Sequence, residues 1–379
     1  MIYLDNAAST QMRREVIDAM NEWNGFANAS SIHKLGIEGR KKISEARQAV
    51  AKLLNCDESQ VVFTSGGTES NATVMRGFPD LDGKVAISRY EHESVMDNAN
   101  IGCALFRLGL VYIPVSEDGI VKANAVSRML SSDPDIKLVS VMAANNEIGT
   151  INDVKSIASV CHKHDALFHT DCVQAVGSID LDTKEIDCDF LSLSAHKFHG
   201  PKGVGVLYCK DITPAPLIAG AQEGGLRGGT ENIAGIIGTG VAAQIAINEK
   251  SAQKGQIMLI KRAFCERLKH VLYDWFECQK ARIIANSDTS EGKIVSVTFD
   301  GVDAQSLVLL MSARNAYISA GSACNANKTE SSHVLKAIGL TDIQAHNTVR
   351  VSFSYMNSIQ EVMDAAGLLG ECVRSLGGG

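Results

Sequence analysis

Apolar residues recur along the chain at spacings that alternate between a helical period and short continuous runs. Residues 40–55 place their apolar side chains on one helical face, and the β-branched run 61–63 follows directly. Comparable runs lie at residues 84–88, 111–115, 137–142, 166–169, 190–193 and 203–209. Strands that alternate with amphipathic helices are typical of an α/β domain with a mostly parallel sheet, and we predict that class for this part of the chain.

The pattern changes in the second half of the chain. Two helical stretches, 232–247 and 255–275, lead into a region of shorter elements. There the spacing predicts strands at 294–299, 316–319 and 349–354 and helices at 304–313, 332–338 and 359–376. We therefore predict a large domain over residues 12–255 and a small α+β domain formed by residues 1–11 and 256–379.

Composition and charge exclude several classes of protein. The 379 residues include 36 basic and 43 acidic side chains, a net charge of −7, which disfavours direct binding to nucleic acid. No signal sequence and no bilayer-spanning apolar run are recognisable, so we expect no membrane association and a cytoplasmic location. The 10 cysteines include no Cys-x-x-Cys pair, which favours reduced thiols and predicts no metal site.

A glycine turn at residues 64–70 separates the run 61–63 from a predicted helix. Backbone N–H groups at such a helix start, with Gly67 and the Thr68 hydroxyl, could hold a phosphate. The turn lacks the lysine of a Walker A loop and the spacing of a dinucleotide fingerprint, so a phosphomonoester is favoured over a nucleotide. A glycine turn capped by Thr and Ser, with no ligand, is the alternative.

Two polar residues follow predicted strands. Lys197 comes after the run 190–193, where burial would favour the neutral amine used in imine chemistry, and Asp171 follows the run 166–169. A Ser-x-x-Lys acyl enzyme would also need Ser-Asp-Asn and Lys-Thr-Gly tripeptides, which the sequence lacks. Because strand ends meet at one crevice of an open sheet, both residues are expected to face one ligand. A lysine imine, an acid beside a pyridine nitrogen and a phosphate turn together predict pyridoxal 5′-phosphate (PLP).

Three further residues each have a functional and a structural interpretation. His92 follows the run 84–88 and could stack on a pyridine ring or lie in a polar helix start. Cys324 lies in a polar, small-residue stretch where a thiol could reach a substrate, although chance placement would look the same. Arg350 lies inside an apolar strand, where a substrate carboxylate or a structural salt bridge would satisfy it.

Short motifs along nearly the whole chain resemble those of the PLP-dependent cysteine desulfurases, within the class V aminotransferase family. The motifs lie at residues 3–8, 28–33, 65–70, 145–149, 194–197, 227–230 and 321–324. The resemblance implies the PLP-dependent transferase fold, similar to aspartate aminotransferase. In that fold a large domain surrounds a mostly parallel central sheet, and a smaller α+β domain carries the cysteine loop.

The resemblance also implies a role for each candidate residue. Lys197 would bind the cofactor as an imine, Asp171 would pair with its pyridine nitrogen, and His92 would stack on its ring and assist proton transfer. Further cofactor contacts would come from Gly67, Thr68, Asn146, Gln174, Ser194, His196 and Thr230, the last supplied by the neighbouring subunit of a homodimer. The substrate carboxylate would be held by Arg350 and Asn146, with Asn28 nearby.

The implied reaction converts L-cysteine into L-alanine and leaves a persulfide on Cys324, which passes sulfur to an acceptor protein. The tail after Cys324 is shorter than in relatives whose extended tails dock an iron-sulfur scaffold. We therefore expect a tRNA or DNA sulfur-modification pathway in place of general iron-sulfur cluster assembly. Cys172, beside Asp171, is a second thiol expected close to the site. Two alternatives stay open: a selenocysteine lyase or other class V aminotransferase-like enzyme that does not need Cys324, and a sulfur-pathway docking platform in which PLP is structural.

Overall fold

The protein is described by a computed structural model over residues 1–23, 25–321 and 331–377. Its strands are β1 (Ile2–Tyr3), β2 (Val61–Thr64), β3 (Lys84–Ser88), β4 (Gly109–Ile113), β5 (Ile136–Ser140), β6 (Leu167–Asp171), β7 (Phe190–Ser194), β8 (Gly205–Cys209), β9 (Ala281–Ile283), β10 (Ile294–Phe299), β11 (Ala316–Tyr317), β12 (Ser319–Ala320) and β13 (Thr348–Ser352). Its helices are α1 (Arg14–Glu22), α2 (Lys34–Leu54), α3 (Gly67–Arg76), α4 (Glu93–Phe106), α5 (Ala123–Ser132), α6 (Val154–Lys163), α7 (Thr183–Ile186), α8 (Ile233–Asn248), α9 (Lys250–Val271), α10 (Tyr273–Glu277), α11 (Ala304–Ala313), α12 (His333–Ala337), α13 (Asp342–His346) and α14 (Ile359–Leu376).

The central sheet has the strand order β2-β8-β7-β6-β5-β3-β4. Its strands from β7 to β4 run parallel to their neighbours, whereas β8 runs antiparallel to both β2 and β7. Every residue of β7 and β8 is buried, as expected of strands that are covered on both faces. This sheet confirms the predicted α/β class with a mostly parallel sheet.

The antiparallel β8 follows from its short connection to β7. A parallel pair needs a crossover of a dozen or more residues, whereas a shorter return favours an antiparallel neighbour. The chain between β7 and β8 contains only a 3-10 turn, Ala195–Lys197, and the loop that follows it. The turn that carries Lys197 therefore lies at the carboxyl end of β7, beside the neighbouring strand ends.

A second sheet, β12-β13-β10-β9, is antiparallel, and β1 pairs with β11 in a separate parallel pair. These strands surround a core of their own that includes Leu4, Phe264, Phe299 and Phe353. The N-terminal segment thus packs with the C-terminal third of the chain. Helix α9 continues through residue 255, and the division of the chain at that residue stays a prediction.

Two local expectations differ from the structure. The predicted strand 316–319 is divided into β11 and β12, which pair with different strands, β1 and β13. Strand β9 was not predicted because its three residues are too few to show a period. None of the described helices is long and apolar enough to span a lipid bilayer.

Candidate active site

A cavity of about 240 Å³ lies at the carboxyl ends of the central strands. Parallel strands deliver their final residues to one edge of the sheet, which is where open α/β sheets bind ligands. The cavity is lined by Ala7, Ala8, Gly67, Thr68, Asn71, His92, Ser94, Met142, Ala144, Asn146, Asp171, Val173, Gln174, Ser194, His196, Lys197 and Arg350. Most of the residues predicted from separate motifs therefore meet in one place.

Asp171 is the last residue of β6 and is only 4% exposed. Its Oδ2 accepts a 2.8 Å hydrogen bond from Asn71 Nδ2, and its Oδ1 accepts a 2.9 Å bond from the backbone N–H of Val173. The two donors fix the orientation of the side chain at the cavity. Asp171 can therefore present a negative charge to a protonated ring nitrogen.

His92 immediately precedes α4 and caps it. The backbone N–H of Ser94 donates to His92 Nδ1 over 3.1 Å, and the Ser94 hydroxyl lies 2.8 Å from the same nitrogen. Burial lowers the pKa of His92 below its ordinary value, and the Lys197 charge lowers it further against the opposing effect of Asp171. Because Nδ1 accepts a backbone hydrogen bond, the neutral ring carries its proton on Nε2.

Lys197 ends the turn after β7 and reaches the N-terminal segment. Its Nζ donates to the carbonyl oxygens of Ala7 and Ala8 over 2.6 and 2.9 Å. The Gln174 side chain donates to the same Ala7 oxygen over 2.7 Å. The N-terminal segment thus forms one wall of the cavity and holds the lysine amine beside it.

The start of α3 supplies a second wall. The residue before the helix is Gly66, which has no side chain to cap the first turn. A Cβ atom on Gly67 would lie 2.6 Å from Val173 Cγ2, so any other residue here would force the loop after β6 to shift. The N–H groups of this helix start, the Thr68 hydroxyl and Ser194 can together accommodate an anion.

His196 lies next to this anion-compatible wall. Its Nδ1 is 3.2 Å from the Ser9 hydroxyl, and its carbonyl accepts a 3.0 Å hydrogen bond from the Thr10 N–H. Burial, followed by the charges of Lys197, Lys202 and Lys293, lowers its pKa to about 4. His196 is therefore neutral near pH 7 in this structure and offers a hydrogen bond in place of a charge.

Arg350 lies in β13 and is 3% exposed. Its Nη1 donates to the Asn146 carbonyl over 2.9 Å, and its Nη2 forms a 2.8 Å ion pair with Asp5. The Nε atom has no partner among the described residues. A buried guanidinium with an unused donor at a cavity suits a carboxylate ligand.

The polar atoms of the cavity fit PLP. Within the part of the chain that the structure describes, Asn71 Oδ1, Asn146 Oδ1 and Gln174 Oε1 are buried without a hydrogen-bond partner. Unpaired buried polar atoms are costly, and three of them around one cavity indicate a polar ligand. A lysine amine, a fixed carboxylate and an anion-compatible helix start match the aldehyde, ring nitrogen and phosphate of that cofactor.

Two predicted site residues of the described chain, Asn28 and Thr230, do not line this cavity. Asn28 is exposed, and its Oδ1 accepts a 2.8 Å hydrogen bond from the Ser30 N–H. Thr230 is exposed on the loop before α8 and is not among the residues that line the cavity of its own chain. Cys324 lies outside the described residues. Cys172 is fully buried and does not line the cavity, and burial raises the pKa of its thiol well above its ordinary value.

Two polar side chains that line the cavity, Asn71 and Ser94, are not among the predicted site residues. Asn71 donates to the Ser94 hydroxyl over 2.9 Å as well as to Asp171, so these side chains link the carboxylate to His92. Asn71 lies four residues after Gly67, one helical turn along the same face. That spacing is the available signal, but the predicted glycine turn at residues 64–70 ends one residue before Asn71.

Comparisons with known proteins agree with this geometry. Residues 2–364 match the family model described as Aminotransferase class-V. The cysteine desulfurase IscS of Methanosarcina thermophila is 36% identical, over 99% of this chain and 92% of that protein. A solved structure described as a NifS-like protein has a TM-score of 0.88 at 32% identity, covering 99% of this chain and 100% of that one. Another, described as SspA in complex with cysteine, has a TM-score of 0.77 at 30% identity and covers 94% of this chain and 100% of that one.

These matches confirm the resemblance and the transferase-like fold that the motifs implied. Coverage of nearly the full length excludes a likeness confined to the sheet or to the cavity. The chain belongs to the class V aminotransferase family.

Proposed function

We propose that this protein is a PLP-dependent cysteine desulfurase that converts L-cysteine into L-alanine and leaves the removed sulfur as a persulfide on Cys324. The observation that carries the proposal is the single cavity in which Lys197, Asp171 and His92 meet Arg350, a buried cation suited to an amino-acid carboxylate. Relatives named cysteine desulfurase, which match the chain over nearly its full length, support the same reaction.

Different side chains around the cavity would hold different parts of the cofactor. Bound PLP supplies an electron sink that weakens the bonds at the Cα atom of an attached amino acid. Lys197 would hold its aldehyde carbon and Asp171 its protonated ring nitrogen, while Gln174 would contact the ring hydroxyl. Gly67, Thr68, Ser194 and His196 would hold the phosphate at the start of α3.

Proton transfer is assigned to His92 and Lys197. The Lys197 amine is placed beside the N-terminal wall, where it can take a proton from the substrate Cα atom once that amine is neutral. His92 is neutral near pH 7 because burial lowers its pKa, and it carries its proton on Nε2. His92 and Lys197 can therefore accept the proton of the substrate Cα atom and return it, and a neutral His92 adds no further charge to the buried site.

The substrate is held by its carboxylate. Arg350 is fixed by Asp5 and by the Asn146 carbonyl, and it retains the Nε donor for a ligand. The Asn146 side-chain oxygen is also unpartnered and could accept a hydrogen bond from the substrate or the cofactor. A bound amino acid would thus be oriented before the chemical step.

The sulfur transfer balances without a further oxidant or reductant. The Cys324 thiol loses its proton, and its sulfur forms a bond with the sulfur of L-cysteine. The carbon–sulfur bond of the substrate breaks, its electron pair stays on Cβ, and that carbon gains a proton. L-Cysteine and one thiol therefore give L-alanine and one persulfide, from which an acceptor protein takes the outer sulfur by thiol exchange.

A homodimer is part of this proposal. Thr230 lies outside the cavity of its own chain, which supports a contribution to the site of a second subunit. Phe26 and Ile32, on either side of Asn28, are 89% and 92% exposed. A second copy of the chain that covers these two side chains would remove their apolar surface from water.

The test is alanine formation from L-cysteine with excess reductant, comparing the parent chain with Cys324→Ala. The matched control is Cys278→Ala, which removes an exposed thiol elsewhere. We expect the parent and the control to form alanine and Cys324→Ala to form none while it keeps the visible absorbance of bound PLP. Alanine release by Cys324→Ala at the parental rate would favour the lyase alternative, and absorbance without turnover in the parent would favour the docking platform.

A further inference from the structure

Glu147 belongs to the motif at residues 145–149, but its side chain does not line the cavity. Its neighbour Asn146 does line it, and the Asn146 carbonyl accepts the hydrogen bond from Arg350. The Oε2 atom of Glu147 instead accepts a 2.6 Å hydrogen bond from the hydroxyl of Ser332, the residue before α12. Both side chains are buried. Burial of a carboxyl group is costly, so this contact calls for a reason beyond packing.

The chain approaches this carboxyl group on both sides of segment 322–330, which contains Cys324 and lies outside the described residues. Ser332 is the second described residue after that segment. Gly321 is the last described residue before it, and a Cβ atom on Gly321 would lie 3.5 Å from Glu147 Oε2. One carboxyl group therefore lies between the points at which the chain enters and leaves the segment.

The residue after Ser332 makes a second contact with the wall of the cavity. The Nε2 atom of His333 donates a 2.8 Å hydrogen bond to the carbonyl of Glu91, which directly precedes His92. Ser332 is thus bonded next to Asn146, and His333 is bonded next to His92. The start of α12 is therefore fixed to two of the loops that present side chains to the cavity.

The contact between Ser332 and Glu147 does not need a particular charge on Glu147. Burial raises the pKa of Glu147 to about 7, against the Ser332 hydrogen bond and the Arg350 charge, which lower it. A carboxyl oxygen can accept a hydrogen bond from a hydroxyl in the ionised and in the protonated form. The backbone N–H groups of Glu147 and Ile148 donate to Asn145 Oδ1 over 2.8 and 3.0 Å, which holds the acceptor in place.

We propose that Glu147 and Ser332 are positioning residues for the transfer of sulfur to Cys324. Their hydrogen bond fixes the chain that follows Cys324 against the loop of Asn146, and so against the residues that would hold the substrate carboxylate. This inference rests on the proposed function. Transfer requires the Cys324 sulfur to reach the substrate sulfur while the substrate is held, so both partners must be oriented. Proton transfer at the substrate Cα atom uses the same cavity but does not need Cys324.

The test compares two reactions of the holoenzyme. One is alanine formation from L-cysteine with excess reductant, and the other is exchange of the Cα proton of L-alanine in deuterated water, which does not involve Cys324. The variants are Ser332→Ala, Glu147→Ala, the two combined, and Glu147→Gln, which keeps an acceptor oxygen. Because Ser332 also caps α12, the matched control is Thr341→Ala, which removes the side-chain cap of α13.

We expect Ser332→Ala and Glu147→Ala each to lower alanine formation about tenfold, as loss of a buried hydrogen bond can, and to keep the parental rate of deuterium exchange. The double variant should lose no more than either single variant, because both remove the same contact. Glu147→Gln should recover most of the loss, and Thr341→Ala should follow the parent. The inference is overturned if Ser332→Ala forms alanine at the parental rate, or if deuterium exchange falls as far as alanine formation.

Backbone amide hydrogen exchange of the full-length chain separates this inference from the proposed function, because it needs no turnover. Peptides from residues 331–337 should exchange faster in Ser332→Ala than in the parent or in Thr341→Ala. Absence of alanine formation by the parent would overturn the proposed function. Unchanged amide exchange in Ser332→Ala would overturn only the inference, since the hydrogen bond would then not fix this part of the chain.

Discussion

Asn71 in α3 and Asp171 in β6 are joined by a 2.8 Å hydrogen bond from the Asn71 amide to the Asp171 carboxylate. The bond connects the helix whose start is suited to a phosphate with the strand end that carries the negative charge. The same amide reaches the Ser94 hydroxyl, and through it His92. One side chain therefore sets the spacing between three groups that we assign to the cofactor.

Replacing Asn71 should weaken cofactor binding. Loss of a buried hydrogen bond to a charged group costs about 1–3 kcal/mol, so Asn71→Ala should lower the affinity for PLP about tenfold or more. The measurement is a titration of the PLP-free chain with PLP, followed by absorbance. Asn100→Ala removes an exposed amide of α4 and serves as the control. Equal affinities for Asn71→Ala and Asn100→Ala would show that Asn71 does not orient Asp171.

Replacing Asp171 should separate binding from catalysis. Asp171→Asn keeps the shape of the side chain and the Val173 contact but removes the charge that would keep a ring nitrogen protonated. Loss of one aligned charge in an enclosed site typically lowers the rate by about 10²-fold or more. With PLP at a saturating concentration, we expect alanine formation to fall by that factor while visible absorbance is retained. Turnover within a factor of about three of the parent would contradict the assigned role.

Glu91 should make the protein less stable as the pH rises. It is fully buried, and burial raises the pKa of its carboxyl from 4.5 to about 8, against hydrogen bonds from Ser88 and the Met142 N–H. Between these values the folded chain holds a proton that the unfolded chain has lost, so the free energy of unfolding decreases with increasing pH by at most about 1.4 kcal/mol per unit.

The variant Glu91→Gln cannot ionise and should lose this dependence. Its stability relative to the parent should therefore increase from pH 5 to pH 8, as measured by urea denaturation of the PLP-free protein. The exposed Glu277→Gln variant should follow the parent at every pH. A constant difference between Glu91→Gln and the parent over this range would mean that Glu91 is ionised throughout.

Thr230 should act on the site of the other subunit. In a mixed dimer of Lys197→Ala and Thr230→Ala chains, one site combines an intact Lys197 with a Thr230 from its partner, whereas the other lacks both. After dissociation and reassembly, each mixed dimer should therefore have up to half of the activity of a parental dimer, whereas the two homodimers that also form stay at the level of the variants. If Thr230 served its own chain, no site in the mixture would be intact and activity would stay at the level of the variants.

Site residues that follow the ends of strands are predictable from the sequence alone. Asp171 and the turn of Lys197 come directly after runs of buried apolar residues, and such runs predict both a strand and the edge where it stops. The same reasoning predicts His92, which lies four residues beyond Ser88, the last residue of β3 in the structure. These residues need only local pattern and the topology of a parallel sheet.

Contacts that join distant parts of the chain were not predictable from one sequence. Lys293 meets the Lys197 carbonyl across nearly a hundred residues, and Asp5 meets Arg350 across most of the chain. No pattern of spacing in the sequence indicates that a lysine or an aspartate will lie at such a contact. For Arg350 the sequence left two partners open, a substrate carboxylate and a structural salt bridge. The structure shows the salt bridge, to Asp5, and also leaves Nε without a partner among the described residues and therefore available to a ligand.

The central claim is that Cys324 receives the sulfur atom. The most direct measurement is the mass of the Cys324 peptide after the holoenzyme reacts with a single equivalent of L-cysteine and is trapped with an alkylating agent without reductant. The account predicts that the Cys324 peptide gains one sulfur atom beneath the alkyl group, in an amount equal to the alanine formed, and that the Cys172 and Cys278 peptides gain none. Alanine formation with sulfur on another cysteine, or on none, would contradict it.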